Sequence, residues 1–172
     1  MRNKKIFTVS MLIAVMSILF VGCVQSEPEA KQTIGIIGAM DTEVDSLKNS
    51  INIEKTTKIA EMEFCEGKIG EKNVVIVKCG MGKVNAGICA NTLINDFGCT
   101  KIINTGVAGS LDSRINIGDI VVSVDAVQHD FDVSPIGFEK GEIPYTGLYS
   151  FSADENMQSA AIYPNNRTVF FR

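Results

Sequence analysis

The residues best placed to do chemistry begin with Glu43. It lies near the end of the run Thr33-Ile34-Gly35-Ile36-Ile37-Gly38-Ala39-Met40-Asp41-Thr42-Glu43-Val44-Asp45. This order reads as a buried strand, a glycine turn and a carboxylate on the first turn of a helix. Such an arrangement aims Glu43 out of the carboxyl edge of a sheet, where open α/β folds put their ligands. By itself a carboxylate there is a solvated residue stabilised by the helix dipole. Kept ionised in a site, it can orient and deprotonate water, and it favours positive charge developing beside it.

Two glycine-rich turns could bring backbone close to a ligand. Gly80-Met81-Gly82-Lys83 lacks both the glycine five residues before Gly82 and a Ser or Thr after Lys83, so it is not a phosphate loop. Gly106-Val107-Ala108-Gly109 is a tight turn between packed strands by default. Gly35-Ile36-Ile37-Gly38 is not a dinucleotide fingerprint, and no acid follows a second strand where a ribose hydroxyl would need one. His129, the sole histidine, stands beside Asp130. A general base needs a nucleophile within reach, and no Ser or Cys motif supplies one, so the pair reads as a loop feature.

Cys65, Cys79, Cys89 and Cys99 form no C-x-x-C and have no histidine nearby, which excludes a zinc or redox motif; they read as small buried residues. No metal and no cofactor is expected. A net charge of -4 with scattered signs offers no basic stripe for nucleic acid.

The elements that would position these residues can be read in order. Ile34 to Ile37 is a continuous β-branched run of the kind a strand buried on both faces needs, ended by Gly38. Asp41 or Thr42 is expected to cap a helix carrying Val44, Leu47 and Ile51. Thr57 to Ile69 alternates loosely and turns at Gly70-Glu71-Lys72-Asn73 into Val74–Val77, which predicts a hairpin feeding an interior strand. A second helix is predicted from about Lys83 to Phe97, with Val84, Ile88, Leu93, Ile94 and Phe97 as its apolar stripe and Gly98 as its C' residue. Strands follow at Ile102-Ile103 and Ile120–Ser123. Strand, helix, strands, helix, strand implies a mostly parallel or mixed sheet covered by helices. Asp154 to Ala161 begins as a short helix.

The first 23 residues are set apart from this plan. Arg2, Lys4 and Lys5 precede an apolar run from Ile6 to Val21 that is short for a membrane span and reads as an export signal. Its end, Leu19-Phe20-Val21-Gly22-Cys23, resembles the lipobox of bacterial lipoproteins, which would make Cys23 a lipidation site and the chain an exported, membrane-anchored protein on the cell surface or periplasmic side. Residues 24–32 are a polar tether.

Three segments, Ile34–Val44, Ile103-Asn104-Thr105-Gly106-Val107-Ala108-Gly109-Ser110-Leu111 and Gly118-Asp119-Ile120-Val121-Val122-Ser123, occur together in an order and spacing that resembles the 5'-methylthioadenosine/S-adenosylhomocysteine nucleosidases. The resemblance implies an α/β fold, an incomplete three-layer α/β sandwich of the nucleoside phosphorylase type with a central mixed sheet. It implies hydrolysis of the N-glycosidic bond of methylthioadenosine or S-adenosylhomocysteine, with release of adenine. Glu43 matches the family's catalytic, water-activating glutamate. Met40 would lie beside the ribose and Met81 beside the thioalkyl group, while Val107, Ala108 and Gly109 would run along adenine and ribose. Val107 stands where many members have Ser. Val133, Ile136, Phe138 and Pro144 match residues that a neighbouring subunit contributes in family homodimers. A phosphorylase of the same fold would need cations for phosphate, and no Arg lies near the glycine turns, which favours water as nucleophile.

The resemblance runs from Ile34 to about Ala161, giving a nucleosidase segment over 33–161 and an atypical tail over 162–172. The family's later Ser-Asp and Met-Glu motifs, which protonate adenine and grip the ribose hydroxyls, do not occur after Ala161. The expectation from the sequence is therefore a C-terminally truncated member of doubtful activity. The alternatives are a non-catalytic purine-nucleoside-binding lipoprotein and a remnant without function.

Overall fold

A computed structural model describes residues 32–161 and 168–171. Cys23, the signal segment and all of the tether but its last residue lie outside them. The chain divides into two compact units at Val107/Ala108.

The first unit is built on a five-stranded sheet with the order β2-β3-β4-β1-β5. The strands are β1 (Thr33–Gly38), β2 (Ile53–Ile59), β3 (Met62–Ile69), β4 (Lys72–Lys78) and β5 (Cys99–Asn104). β1 lies parallel to β4 on one side and to β5 on the other, in registers such as Ile36 with Ile76 and Ile36 with Ile103. β2, β3 and β4 run antiparallel, so the sheet is mixed. Helices α1 (Asp41–Ser50) and α2 (Lys83–Asn95) connect the parallel strands.

Alternation along the central strands sorts the apolar residues onto two faces. On one face Ile36, Val74 and Ile76 pack with Val44 and Ile51 of the α1 region, joined by Ile34 and Leu47. On the other face Ile37, Val75 and Val77 join Met62, Phe64, Cys79, Cys89, Leu93 and Cys99. Helix, sheet and helix thus form three layers, the architecture expected from the sequence. Full burial of Val44 contributes on the order of 1.5–3 kcal/mol. α2 comes unusually near β1 at Gly35, where a Cβ would sit 2.8 Å from Leu93 Cδ1. Phe97 stacks on Phe64 with ring centroids 4.9 Å apart.

Four local expectations are corrected. Neither Asp41 nor Thr42 caps α1: its N-cap is Met40, and the backbone N–H there is satisfied by Glu43. The segment Thr57–Ile69 is not one loose strand, because Ala60 and Glu61, at φ 49° and 61°, turn the chain and separate β2 from β3. α2 ends at Asn95 with Asp96 as C-cap, so the left-handed Gly98 (φ 62°) lies one residue beyond C'. The α2 stripe is only half internal: Leu93 is buried, while Val84, Ile88 and Ile94 are exposed. Helical spacing carries those three to the side of α2 that turns away from the sheet.

The second unit holds β6 (Ile120–Ser123), β7 (Asp125–Ala126), β8 (Phe151–Ser152), α3 (Glu155–Ala160) and β9 (Thr168–Phe171). β6 pairs in parallel with β9, and β7 pairs antiparallel with β8. Asp154 caps α3, accepting the Met157 N–H at 2.8 Å, in the segment read as a short helix. Among residues 108–161 no apolar side chain is fully buried; Leu111 and Ile117 are completely exposed.

Candidate active site

The carboxyl ends of β1, β4 and β5 converge. The Cys79 N–H donates to the Gly38 carbonyl at 2.9 Å and the Thr105 N–H donates to the Ile37 carbonyl at 2.8 Å, which extends both parallel ladders past the strand ends. Three chain segments leave the sheet there: the α1 turn after Gly38, the Gly80–Gly82 turn after β4, and the Gly106 turn after β5. Gly82, the N-cap of α2, adopts φ 101° and ψ 151°, a conformation open to glycine and little else. That turn leaves Met81 largely exposed.

Glu43 is the third residue of α1 and folds back toward the strand end. Its Oε2 accepts the Ala39 N–H at 2.7 Å and the Met40 N–H at 3.0 Å, while Oε1 accepts the Val107 N–H at 3.1 Å. Donors to the ionised form stabilise it over the neutral acid. The carboxyl is accordingly held below its ordinary value of 4.5, first by the Val107 N–H and then by that of Met40, with Ala39 adding less than desolvation opposes. Glu43 is therefore a carboxylate at neutral pH. A carboxylate has about four acceptor positions. Among the described residues Oε2 accepts two bonds and Oε1 accepts one.

The same helix start is tied to β4 by Lys78, whose Nζ lies 2.7 and 2.9 Å from the two Asp41 carboxylate oxygens. The hydrogen bond to Lys78 lowers the Asp41 pKa, and that to Asp41 raises the Lys78 pKa. Cys79 is buried at the end of β4. Desolvation raises its pKa, and the negative charge of Glu43 adds to the effect, so this thiol stays protonated and is no nucleophile.

The phosphorylase superfamily model matches residues 33–168, most of the chain. The chain belongs to the phosphorylase superfamily. Within the superfamily it is 43% identical over 128 residues to a 5'-methylthioadenosine/S-adenosylhomocysteine nucleosidase of Psychromonas ingrahamii, covering 74% of this chain and 55% of the relative. The nucleosidase of Colwellia psychrerythraea, solved with adenine, superposes with a TM-score of 0.72 at 37% identity, over 76% of this chain and 53% of that one. A futalosine hydrolase of Helicobacter pylori superposes with a TM-score of 0.71 at 28% identity, over 77% and 57%. The chain spans about half the length of the curated relatives it matches.

In this phosphorylase superfamily member the first unit brings together Glu43, Met40 and Val107 of the residues singled out in the sequence. Met40 is the α1 N-cap and Val107 meets Glu43 through its backbone N–H, its side chain being exposed. Ala108 and Gly109 open the second unit in an exposed loop. In that unit Val133 precedes the 3-10 turn Ser134–Ile136, Ile136 is exposed, and Phe138 packs edge-on against Tyr145 with centroids 5.3 Å apart; Pro144 immediately precedes Tyr145 and is half-buried. His129 is exposed in a turn. Among the described residues no group of His, Cys, Asp and Glu is arranged to hold a metal ion. Sequence reading missed the donors Ala39 and Val107, because a backbone N–H carries no signature of its own residue type. The glycine before Val107 was the available signal.

Proposed function

We propose that this chain carries the water-activating half of an N-glycosidic hydrolase acting on 5'-methylthioadenosine or S-adenosylhomocysteine and releasing adenine. The observation that carries the reading is Glu43: a carboxylate kept ionised by three backbone donors at the carboxyl edge of the sheet. A water held at Oε1 gives its proton to the carboxylate as its oxygen bonds to the anomeric carbon. The bond from that carbon to the adenine nitrogen breaks, its electron pair going to the base. The negative charge of Glu43 favours the sugar cation that develops between these events. An acid must protonate adenine as it leaves, a step ordinarily worth about 10²- to 10⁴-fold. By resemblance Met40 lies along the ribose, Met81 at the thioalkyl end, and Val107, Ala108 and Gly109 along the base. Val133, Ile136, Phe138 and Pro144 would complete the pocket of a second copy in a homodimer.

The test is adenine release from methylthioadenosine by the purified chain, with binding of the same nucleoside measured by calorimetry. Glu43→Gln keeps the shape and removes the charge. Loss of release with binding retained supports catalysis. Binding retained without release in either form makes the chain a nucleoside-binding protein, and no effect of Glu43→Gln on either would remove Glu43 from the reaction. Futalosine belongs in the same assay, given the Helicobacter pylori neighbour.

The N-terminal features support a further reading, that the chain is exported and anchored through lipidated Cys23. Palmitate labelling of the expressed protein that persists after Cys23→Ser would contradict it.

A further inference from the structure

Gly106 lies two residues past the end of β5, beside the Glu43 carboxylate. A Cβ built on it would meet Glu43 Oε1 at 2.8 Å, Glu43 Cδ at 3.2 Å and Glu43 Oε2 at 3.6 Å, and these are its three nearest neighbours. Real Cβ atoms do not approach oxygen that closely, so one of the two must yield. The backbone itself does not require glycine, because the φ of Gly106 lies outside the left-handed region. The group that a side chain at this position would have to displace is the Glu43 carboxylate. At Gly38 a Cβ would first strike the buried Val44 Cγ1 at 2.5 Å, a packing conflict with the core, with Glu43 Cβ at 3.2 Å and Oε2 at 3.6 Å behind it.

We propose that Gly106 is a positioning residue for Glu43: its bare Cα lets the Gly106-Val107 backbone close onto the carboxylate, so that the Val107 N–H fixes Oε1 and leaves its other acceptor position facing the site. The two oxygens then divide their work. Oε2 is tied into the α1 turn by Ala39 and Met40, and Oε1 is the atom that holds the water. This rests on the hydrolase reading for the identity of the water, but the positioning of Glu43 can be measured without any reaction.

The experiment follows the Glu43 carboxyl carbon by NMR titration in the full chain, assigned by its disappearance in Glu43→Gln, together with thermal melting. In Gly106→Ala the added methyl displaces the carboxylate from Val107, and the Glu43 titration rises toward 4.5, the Met40 and Ala39 donors still holding it below that value. The variant also melts lower. In the Glu43→Ala background the clash has no partner, so adding Gly106→Ala leaves the melting temperature unchanged or raises it. If Gly106→Ala alone does not fold while the double variant does, the conclusion is the same. An unmoved Glu43 titration, or equal loss of melting temperature in both backgrounds, overturns the proposal. Where the parent chain releases adenine, Gly106→Ala lowers kcat by about 10²-fold, the usual penalty for a misplacement of about 1 Å, with KM little changed. Where it releases none, the hydrolase reading fails and the titration still decides the role of Gly106.

Discussion

At Glu43 the sequence offers a carboxylate and the fold decides its state. Its three backbone donors come from residues of no special chemistry, Ala39, Met40 and Val107, and together they outweigh desolvation. Because the folded pKa is depressed, the ionised form and the stability it contributes persist at neutral pH and are lost only as pH falls through the folded value, below 4.5. On the hydrolase reading proposed above, the acid limb of the pH–rate profile for adenine release is therefore expected below 4.5. An acid limb near 6 would assign that limb to some other group. The place of Glu43 could be read from a strand, a glycine turn and a helix start in succession. Its partners could not, since a backbone N–H belongs to every residue but proline, and what selects Val107 is the register of β5 against β1.

Among the elements, continuous apolar runs were the most legible. Ile34–Ile37 and Val74–Val77 read as interior strands because both of their faces are covered, the one by α1 and the other by α2. The β2–β3 hairpin was not legible as a hairpin. Two-residue turns that need positive φ at both centres favour Asn-Gly, and this chain places Ala60 and Glu61 there instead. Left-handed backbone costs such residues roughly 1–2 kcal/mol each, while the exposed Lys58–Glu61 ion pair at 2.7 Å offsets little of it. Replacing the pair by A60N together with E61G should stabilise the first unit by about 1 kcal/mol or more, read as a higher denaturant midpoint with an unchanged slope. The outward residues of α2 were misjudged for a different reason. Val84, Ile88 and Ile94 have the period of a buried face, but period identifies a stripe without saying how much of it a neighbour covers.

For the whole molecule, acidity inside the core sets a limit at the alkaline end. Cys65, Cys79, Cys89 and Cys99 are free and buried, as the sequence suggested for them. Desolvation pushes Cys89 up to about 12 and Cys99 up to about 11 from an ordinary 9.0. A raised folded pKa means that the stability is fully present below 9.0 and is lost as pH climbs toward the folded values, since the unfolded chain sheds those protons first. Denaturation at pH 8, 9 and 10 should show stability falling by about 1.4 kcal/mol per pH unit for each such thiol above its unfolded pKa. Cys89→Ala should remove close to one proton from that slope. A flat profile would show that these thiols are not buried in solution.

The bond between the Val107 N–H and Glu43 spans 64 residues of chain. On a ribosome adding about 5–20 residues each second, roughly 3–13 s separate the synthesis of the two partners. Throughout that interval the nascent protein holds its helix start and its carboxylate with Oε1 still unclaimed by Val107. The carboxylate therefore reaches its final surroundings on the clock of β5 rather than of α1, and a polypeptide released early would contain Glu43 in an untuned state.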